Sequence, residues 1–135
     1  MATINAPSLD NVQYVGDRGL AAEHSFVNLN AAAVGTKIRL LDFSAGTKIH
    51  DAKLVFGALG AGSKVSIGIE AYDGTAFAED AAILLAATDT AAAGVARSAA
   101  APVKKKVRYF VTATVTGAAA TGRLDLTVLQ SPEGI

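Results

Sequence analysis

The strict alternation of apolar and polar residues from Val107 to Leu129 limits what this chain can fold into more than any other feature. A period of two places one set of side chains on a buried face and the other set toward water or a partner. Gly117–Gly122 interrupts the alternation with small residues and reverses the chain. We therefore predict a long two-stranded hairpin with these inward residues: Val107, Tyr109, Val111, Ala113, Val115, Leu124, Leu126 and Val128.

Similar segments, separated by glycine-rich turns, recur through the rest of the chain. The predicted strands are His24–Leu29, Lys37–Phe43, Lys48–Phe56, Lys64–Tyr72 and Val95–Ala100. The inward set of the third, Ile49, Ala52, Leu54 and Phe56, slips by one position near Asp51, which predicts a β-bulge there. For Phe77–Thr88, helix and strand both remain open, because its alanines and leucines also favour a helix.

Short strands at regular spacing predict an all-β fold, an antiparallel β-sandwich with jelly-roll-like topology. We expect at least seven strands and no more than two short helices. Residues 1–20 are polar and irregular, and we interpret them as an N-terminal arm or a lead-in strand around Val12–Val15. Residues 21–135 form the predicted β-sandwich domain.

The charge balance and composition exclude several classes of protein. Twelve basic and twelve acidic residues give zero formal net charge, which argues against a nucleic-acid partner. No apolar run reaches the length of a membrane span, and no secretory signal pattern is present, so we expect no membrane partner and synthesis in a cytoplasm. The chain has no cysteine, so disulfides and thiolate metal sites are excluded.

The sequence shows no recognisable catalytic, cofactor-binding or metal-binding motif. His24 and His50 are the only imidazoles, and we interpret both as surface residues. Gly57–Gly62 lacks the lysine of a phosphate-binding loop and leads into a strand. Lys104–Lys106 is interpreted as a solvated entry to the last strands, with an acidic protein partner as the alternative. We therefore predict that the protein is not an enzyme and carries no cofactor.

Three large apolar residues occupy positions that the alternation assigns to the outward face: Tyr72, Phe110 and Leu129. Exposed aromatic residues on a sheet often mark an interface. The alternative is that both faces of the sheet are covered within the domain. On the first interpretation these three are candidate interface residues, and Phe110 in particular is expected to be exposed in the isolated domain.

Several segments together resemble small head proteins of tailed bacteriophages, the decoration or cement proteins. The matching segments are Val34–Leu40 (VGTKIRL), Gly46–Leu54 (GTKIHDAKL), Val65–Gly68 (VSIG), Leu85–Gly94 (LAATDTAAAG) and Tyr109–Val128. The resemblance spans roughly residues 34 to 129. It implies a β-sandwich or jelly roll on the outside of an icosahedral shell, and it transfers no catalytic residue.

The resemblance therefore implies a virion protein on the exterior of the phage head, assembled in the host cytoplasm. Its expected partners are the major capsid protein, whose neighbouring copies it would tie together, and other copies of itself as a dimer or trimer. The alternative is a carbohydrate- or receptor-binding β-module of a phage tail or fibre. Such a module needs exposed aromatic platforms, and the chain has no Trp and three Tyr.

Overall fold

The fold is all-β. The computed structural model describes residues 2–7, 9 and 20–133, and in this part of the chain it contains ten strands and no helix. The strands are β1 (Thr3–Asn5), β2 (Ala21–Ala32), β3 (Lys37–Phe43), β4 (Thr47–Phe56), β5 (Lys64–Ala71), β6 (Asp80–Asp89), β7 (Gly94–Arg97), β8 (Val103–Lys104), β9 (Tyr109–Thr116) and β10 (Ala120–Pro132).

The strands form two sheets that face each other across one core. The first sheet has the order β1-β3-β9-β5-β6, and the second has the order β2-β10-β4-β7, with β8 added beside β4. Four antiparallel pairs, β2 with β10, β3 with β9, β4 with β7 and β5 with β6, nest inside one another along the chain. This nesting is the rolled-up hairpin of a jelly roll, so the predicted all-β sandwich with jelly-roll topology is confirmed.

The N-terminal arm contributes at least one strand to the sandwich. β1 pairs in parallel with β3, and Ala6 is buried in the core. The lead-in strand predicted around Val12–Val15 lies outside the described residues. The division at residue 20 therefore stays a prediction.

The predicted hairpin between the last two strands is wrong, although its strands and most of its inward residues are right. β9 pairs with β3 and β5 in the first sheet, while β10 pairs with β2 and β4 in the second. The short connection 117–119 crosses from one sheet to the other. Alternation identifies which face of each strand is buried but carries no information on its partner. Of the predicted inward set, Val107 alone is exposed, at 36%.

Two further predictions concern β4 and β6. The register between β10 and β4 shifts between Leu129, opposite Asp51, and Gln130, opposite Ile49, so His50 is the extra residue of a bulge. The bulge predicted near Asp51 is confirmed. The segment that was open between helix and strand, Phe77–Thr88, contains most of β6 and is a strand from Asp80 onward.

The core between the sheets is made of the alternating residues of the central strands. Ile38, Leu54, Ile67 and Leu126 are all at most 1% exposed. The one hydroxyl among the large core side chains is satisfied, because the Tyr109 hydroxyl donates a hydrogen bond to the carbonyl of Thr47 at 2.7 Å. Burial raises the pKa of this phenol, so it remains a neutral donor.

Strand β5 is covered on both faces. Its outward residues Ser66 and Glu70 are only 4% and 8% exposed, against the expectation that the outward set meets water. Strand β6 shifts register twice against β5, and the irregular stretch crosses over the outer face at Gly68. A Cβ at Gly68 would lie within 2.5 Å of the Asp80 carbonyl oxygen and of the Ala81 Cα. Only glycine fits this crossing.

We predict that Gly68→Ala lowers the free energy of unfolding by about 3 kcal/mol, because the added methyl group meets backbone that cannot move aside cheaply. Gly57→Ala is the matched control, since a Cβ there has no neighbour within 4 Å. Denaturant unfolding of both variants measures the difference. Equal stability of the two variants would contradict the crossing of β6 over β5.

Candidate interaction surface

The outer face of the first sheet carries four side chains stacked in a row. The Tyr72 and Phe110 rings have centroids 5.2 Å apart and are tilted by 36°. The Arg39 guanidinium lies 4.7 Å from the centroid of Phe110, and the Arg108 guanidinium lies 3.7 Å from that of Tyr72. Each distance is within the range of a cation–π contact. We call Arg39, Phe110, Tyr72 and Arg108 the aromatic–arginine stack.

Carboxylates on β3 and β5 of the same sheet hold both guanidinium groups in place. Arg108 binds Asp42 through two nitrogens, and its Nε lies 2.9 Å from Asp42 Oδ1. Arg39 donates from Nε to Glu70 Oε1 at 2.8 Å. These hydrogen bonds raise the pKa of both arginines, which stay charged at any physiological pH.

Glu70 is the most buried carboxylate on this face. Its burial would by itself raise its pKa, but hydrogen bonds from Arg39 and Lys37 outweigh that cost, and the pKa of Glu70 is lowered. Lys37 also approaches Glu79, with 3.6 Å between Nζ and Oε1. Glu70 is therefore an anion held between two cations beneath the stack.

The expectation that Phe110 is exposed is wrong, and the stack explains why. Phe110 is 7% exposed because Arg39 and Tyr72 cover it on the outer face, whereas Tyr72 is 49% exposed. The alternative interpretation, a sheet covered on both faces, applies to Phe110. A depression of about 380 Å³ opens beside the stack and is lined by Asn5, Leu9, Arg39, Asp42, Tyr72, Arg108 and Phe110.

Leu129 lies on the outer face of the other sheet, away from the stack. It is half-buried in β10 opposite Asp51 of β4 and lines a smaller depression of about 230 Å³ with Lys53, Thr127 and Arg97. The structure thus brings two of the three candidate interface residues together and separates the third. Their role at an interface stays a prediction.

Residue patterns alone did not single out Arg39 and Arg108. Arg108 precedes Phe110 by two residues and so shares its face, which is a usable signal. Arg39 has no such signal, because only the pairing of β3 with β9 brings its guanidinium over the ring of Phe110.

Each histidine has a polar side-chain partner, and His24 also stacks on Phe26, with ring centroids 6.4 Å apart. His24 Nε2 lies 2.9 Å from Asp125 Oδ1, and His50 Nε2 lies 2.7 Å from the Ser131 hydroxyl. No group of three or more potential metal-ligating side chains occurs among residues 2–7, 9 and 20–133. Over the same residues, no helix has the length and apolar character to cross a bilayer.

One end of the sandwich carries no charged residue in its connections. The loops 33–36, 57–63, 90–93 and 117–119 all lie at this end and consist of alanine, glycine and a few other small or apolar residues. They are tied together: Leu59 donates its N–H to the carbonyl of Thr90, and Thr121 donates its N–H to the carbonyl of Leu59, both at 2.9 Å. We call these four loops the uncharged end. The opposite end carries the charged residues of 72–79 and 105–108.

The sequence matches no family model and no curated protein sequence. Three solved structures with a similar fold are chains of phage capsids. A chain in the capsid of Ralstonia phage GP4 aligns over 99% of both chains, with a TM-score of 0.78 and 21% identity. A chain in the cyanophage Pam1 capsid aligns over 91% of both chains, with a TM-score of 0.65 and 13% identity.

A chain from the capsid of Helicobacter pylori bacteriophage KHP30 aligns over 83% of this chain and 86% of its own length, with a TM-score of 0.58 and 19% identity. At these identities the likeness establishes a shared fold. It extends over nearly the whole of both chains in the first two cases.

We predict that Phe110→Ala lowers the free energy of unfolding by about 3 kcal/mol, because it removes a buried ring from between Arg39 and Tyr72. Leu129→Ala is the control from the other sheet, and we expect it to cost less than about 1 kcal/mol. Thermal or denaturant unfolding separates the two. Equal effects would show that the stack contributes little to folding.

We also predict that Glu70 contributes to the pH dependence of stability. Because the pKa of Glu70 in the folded chain is below its ordinary value of 4.5, its contribution is complete above that pH and is lost as the pH falls through the folded value. The Glu70→Gln variant should therefore have a lower free energy of unfolding than the parent at pH 7. Its free energy of unfolding should also fall less steeply than that of the parent as the pH is lowered. Glu79→Gln is the control, because it leaves the contacts of Glu70 in place, and its free energy of unfolding should follow that of the parent more closely. Equilibrium unfolding between about pH 7 and pH 2 measures both variants.

Proposed function

We propose that this protein is a structural component of a phage capsid that decorates the head and cements it from outside. The observation that carries the proposal is the likeness in fold, over nearly the whole of both chains, to a chain in the capsid of Ralstonia phage GP4. The motif resemblance to decoration proteins, from Val34 to Val128, supports the same role independently of the fold.

The mechanism would be adhesive. Each copy would bind across the joint between neighbouring major capsid proteins and hold them together by non-covalent contacts, with no catalysed reaction. A few kcal/mol per copy is sufficient, because many bonds act together on one shell. Zero net charge suits such a role, since close packing of many copies then builds up no long-range repulsion.

The aromatic–arginine stack is the surface that we propose faces the shell. Tyr72 is half exposed yet held by Arg108 on one side and Phe110 on the other, so little side-chain freedom is lost when it becomes buried. Tyrosine and arginine are also the residue types enriched at the centres of interfaces. The adjoining depression, lined by Asn5 and Leu9, would receive a side chain of the capsid protein.

Cosedimentation tests the proposed function. Shells of the parent phage, stripped of this protein, are mixed with purified protein over a range of salt concentrations and pelleted. We expect saturable binding to these shells and none to unrelated shells. Protein that stays in the supernatant at every salt concentration would contradict a cement role and favour a receptor-binding module.

We predict that Tyr72→Ala weakens attachment to stripped shells by about 10- to 100-fold, the effect of losing an interface aromatic residue. Leu129→Ala, on the opposite sheet, should attach like the parent. Circular dichroism and thermal unfolding of both variants confirm that each remains folded. If Leu129→Ala weakens attachment and Tyr72→Ala does not, the second sheet faces the shell.

A further inference from the structure

Strand β4 takes part in two like-charged pairs on the outer face of the second sheet. Lys53 lies directly opposite Arg97 of β7, and Lys48 lies directly opposite Lys104 of β8. Like charges at directly opposite positions lower the stability of a sheet. Lysines often protect an edge strand from pairing, but β4 is paired on both sides, so its own lysines have no edge to protect. We call the two pairs the Lys53 pair and the Lys48 pair, and the four side chains together the cation row.

Glu133 is a carboxylate that both lysines of the Lys48 pair share. Its Oε2 lies 3.7 Å from Lys48 Nζ, and its Oε1 lies 3.6 Å from Lys104 Nζ. Both distances are longer than a hydrogen bond, and all three side chains are about one-third exposed. Exposed ion pairs of this kind contribute little to stability. One carboxylate therefore balances two lysines only loosely, and another anion can displace it.

The Lys53 pair has a carboxylate partner on one side only. Arg97 binds Asp51, whereas Lys53 is exposed and forms no ion pair with any other described residue. Across both pairs, four cations meet two carboxylates, which leaves an excess of two positive charges. Elsewhere on the same face Arg123 is matched by Asp125. The excess therefore lies at the cation row, although the formal net charge of the whole chain is zero.

The depression of about 230 Å³ on this face lies within the cation row. Lys53 and Arg97 line it together with Leu129, which supplies an apolar wall. Lys48 and Lys53 are four regular steps apart on β4, because His50 is the extra residue of the bulge. At about 3.4 Å per step, the two pairs lie about 14 Å apart. An extended peptide spans the same distance between side chains i and i+4, which point to the same face.

We propose that the cation row binds an extended acidic segment of a partner protein, with two carboxylates four residues apart and an apolar side chain midway between them. One carboxylate lies at the Lys53 pair, and the other displaces Glu133 from the Lys48 pair. The apolar side chain enters the depression beside Leu129. Glu133 is thus an internal competitor for the partner's carboxylate. Attachment of the first sheet to a capsid is not needed for this inference.

The depression favours a protein segment over other polyanions. A polymer that carries only charged and hydroxyl groups would leave Leu129 uncovered, and it would gain nothing from the apolar wall. A peptide gains from the charges and from the burial of its apolar side chain. Charge also brings the acidic segment to this face, because the two positive charges in excess attract it before contact.

The test is a titration of the full chain with synthetic peptides, followed by the amide chemical shifts of the protein. One capped peptide contains the core Glu-Ser-Leu-Ser-Glu, and the other contains Glu-Ser-Ser-Ser-Glu. We expect saturable shifts at Lys53, Lys104 and Leu129 with the first peptide. The second should bind about fivefold more weakly, because it lacks the apolar side chain. Binding of both should weaken as the salt concentration rises.

Two variants of opposite charge change give the second measurement. Lys53→Gln should weaken binding of the first peptide about threefold to fivefold, the effect of losing one exposed ion pair. Lys64→Gln is its matched control, because Lys64 is also exposed without an ion pair to a described residue but lies on β5 of the first sheet. Glu133→Gln should strengthen binding, because it removes the internal competitor. Glu79→Gln removes the same charge from the first sheet and should bind like the parent.

Several outcomes would overturn the inference. One is the absence of saturable shifts at millimolar peptide. Another is equal binding of the two peptides, or tighter binding of dextran sulfate than of the first peptide, because the face would then accept any polyanion. Equal weakening by Lys53→Gln and Lys64→Gln would overturn it as well, because the peptide would then respond to net charge and not to the cation row. Circular dichroism of each variant checks that the fold is retained.

Discussion

The insertion of β10 between β2 and β4 is the interaction on which the rest of the structure depends. Its inward residues Leu124, Leu126 and Val128 are completely buried, and its backbone completes ladders on both sides. Without β10 the second sheet has no centre, and the first sheet loses much of the surface that it packs against. The burial of three aliphatic side chains on β10 therefore holds together two strands that do not pair with each other.

The sequence predicted the strands well and their partners poorly, for a physical reason. Alternation reflects burial of one face, so it located β3 at Lys37–Phe43 and even the bulge beside Asp51. Pairing depends on which strand reaches which neighbour in space, and nothing in the alternation of β9 and β10 separates a hairpin from a crossing between sheets. The burial of Phe110 could not be predicted for the same reason, because Arg39, which covers its ring, lies on a strand some seventy residues away.

The candidate surface shows how a sheet can bury both faces without a second core. The outer face of the first sheet is covered by ion pairs and stacked rings, in which Glu70 and Glu79 together balance Arg39 and Lys37 while Asp42 balances Arg108. Each charge is matched within the chain, so the face is rigid and nearly neutral. In the proposed attachment, shape and the exposed tyrosine would therefore contribute more than long-range attraction.

The nested pairing of the jelly roll also determines when the chain can fold. Among the described strands, β2 is the first of the second sheet, and it pairs with β10, roughly a hundred residues later. During synthesis, β2 must wait for β10 until Ala120–Pro132 has left the ribosome, whereas β4 can already pair with β7 and β8. Folding of this sheet is therefore late and slow for a domain of this size, as expected when nearly all pairings join distant residues. Until then the chain depends on rapid completion, or on a chaperone, to avoid pairing with its neighbours on the same message.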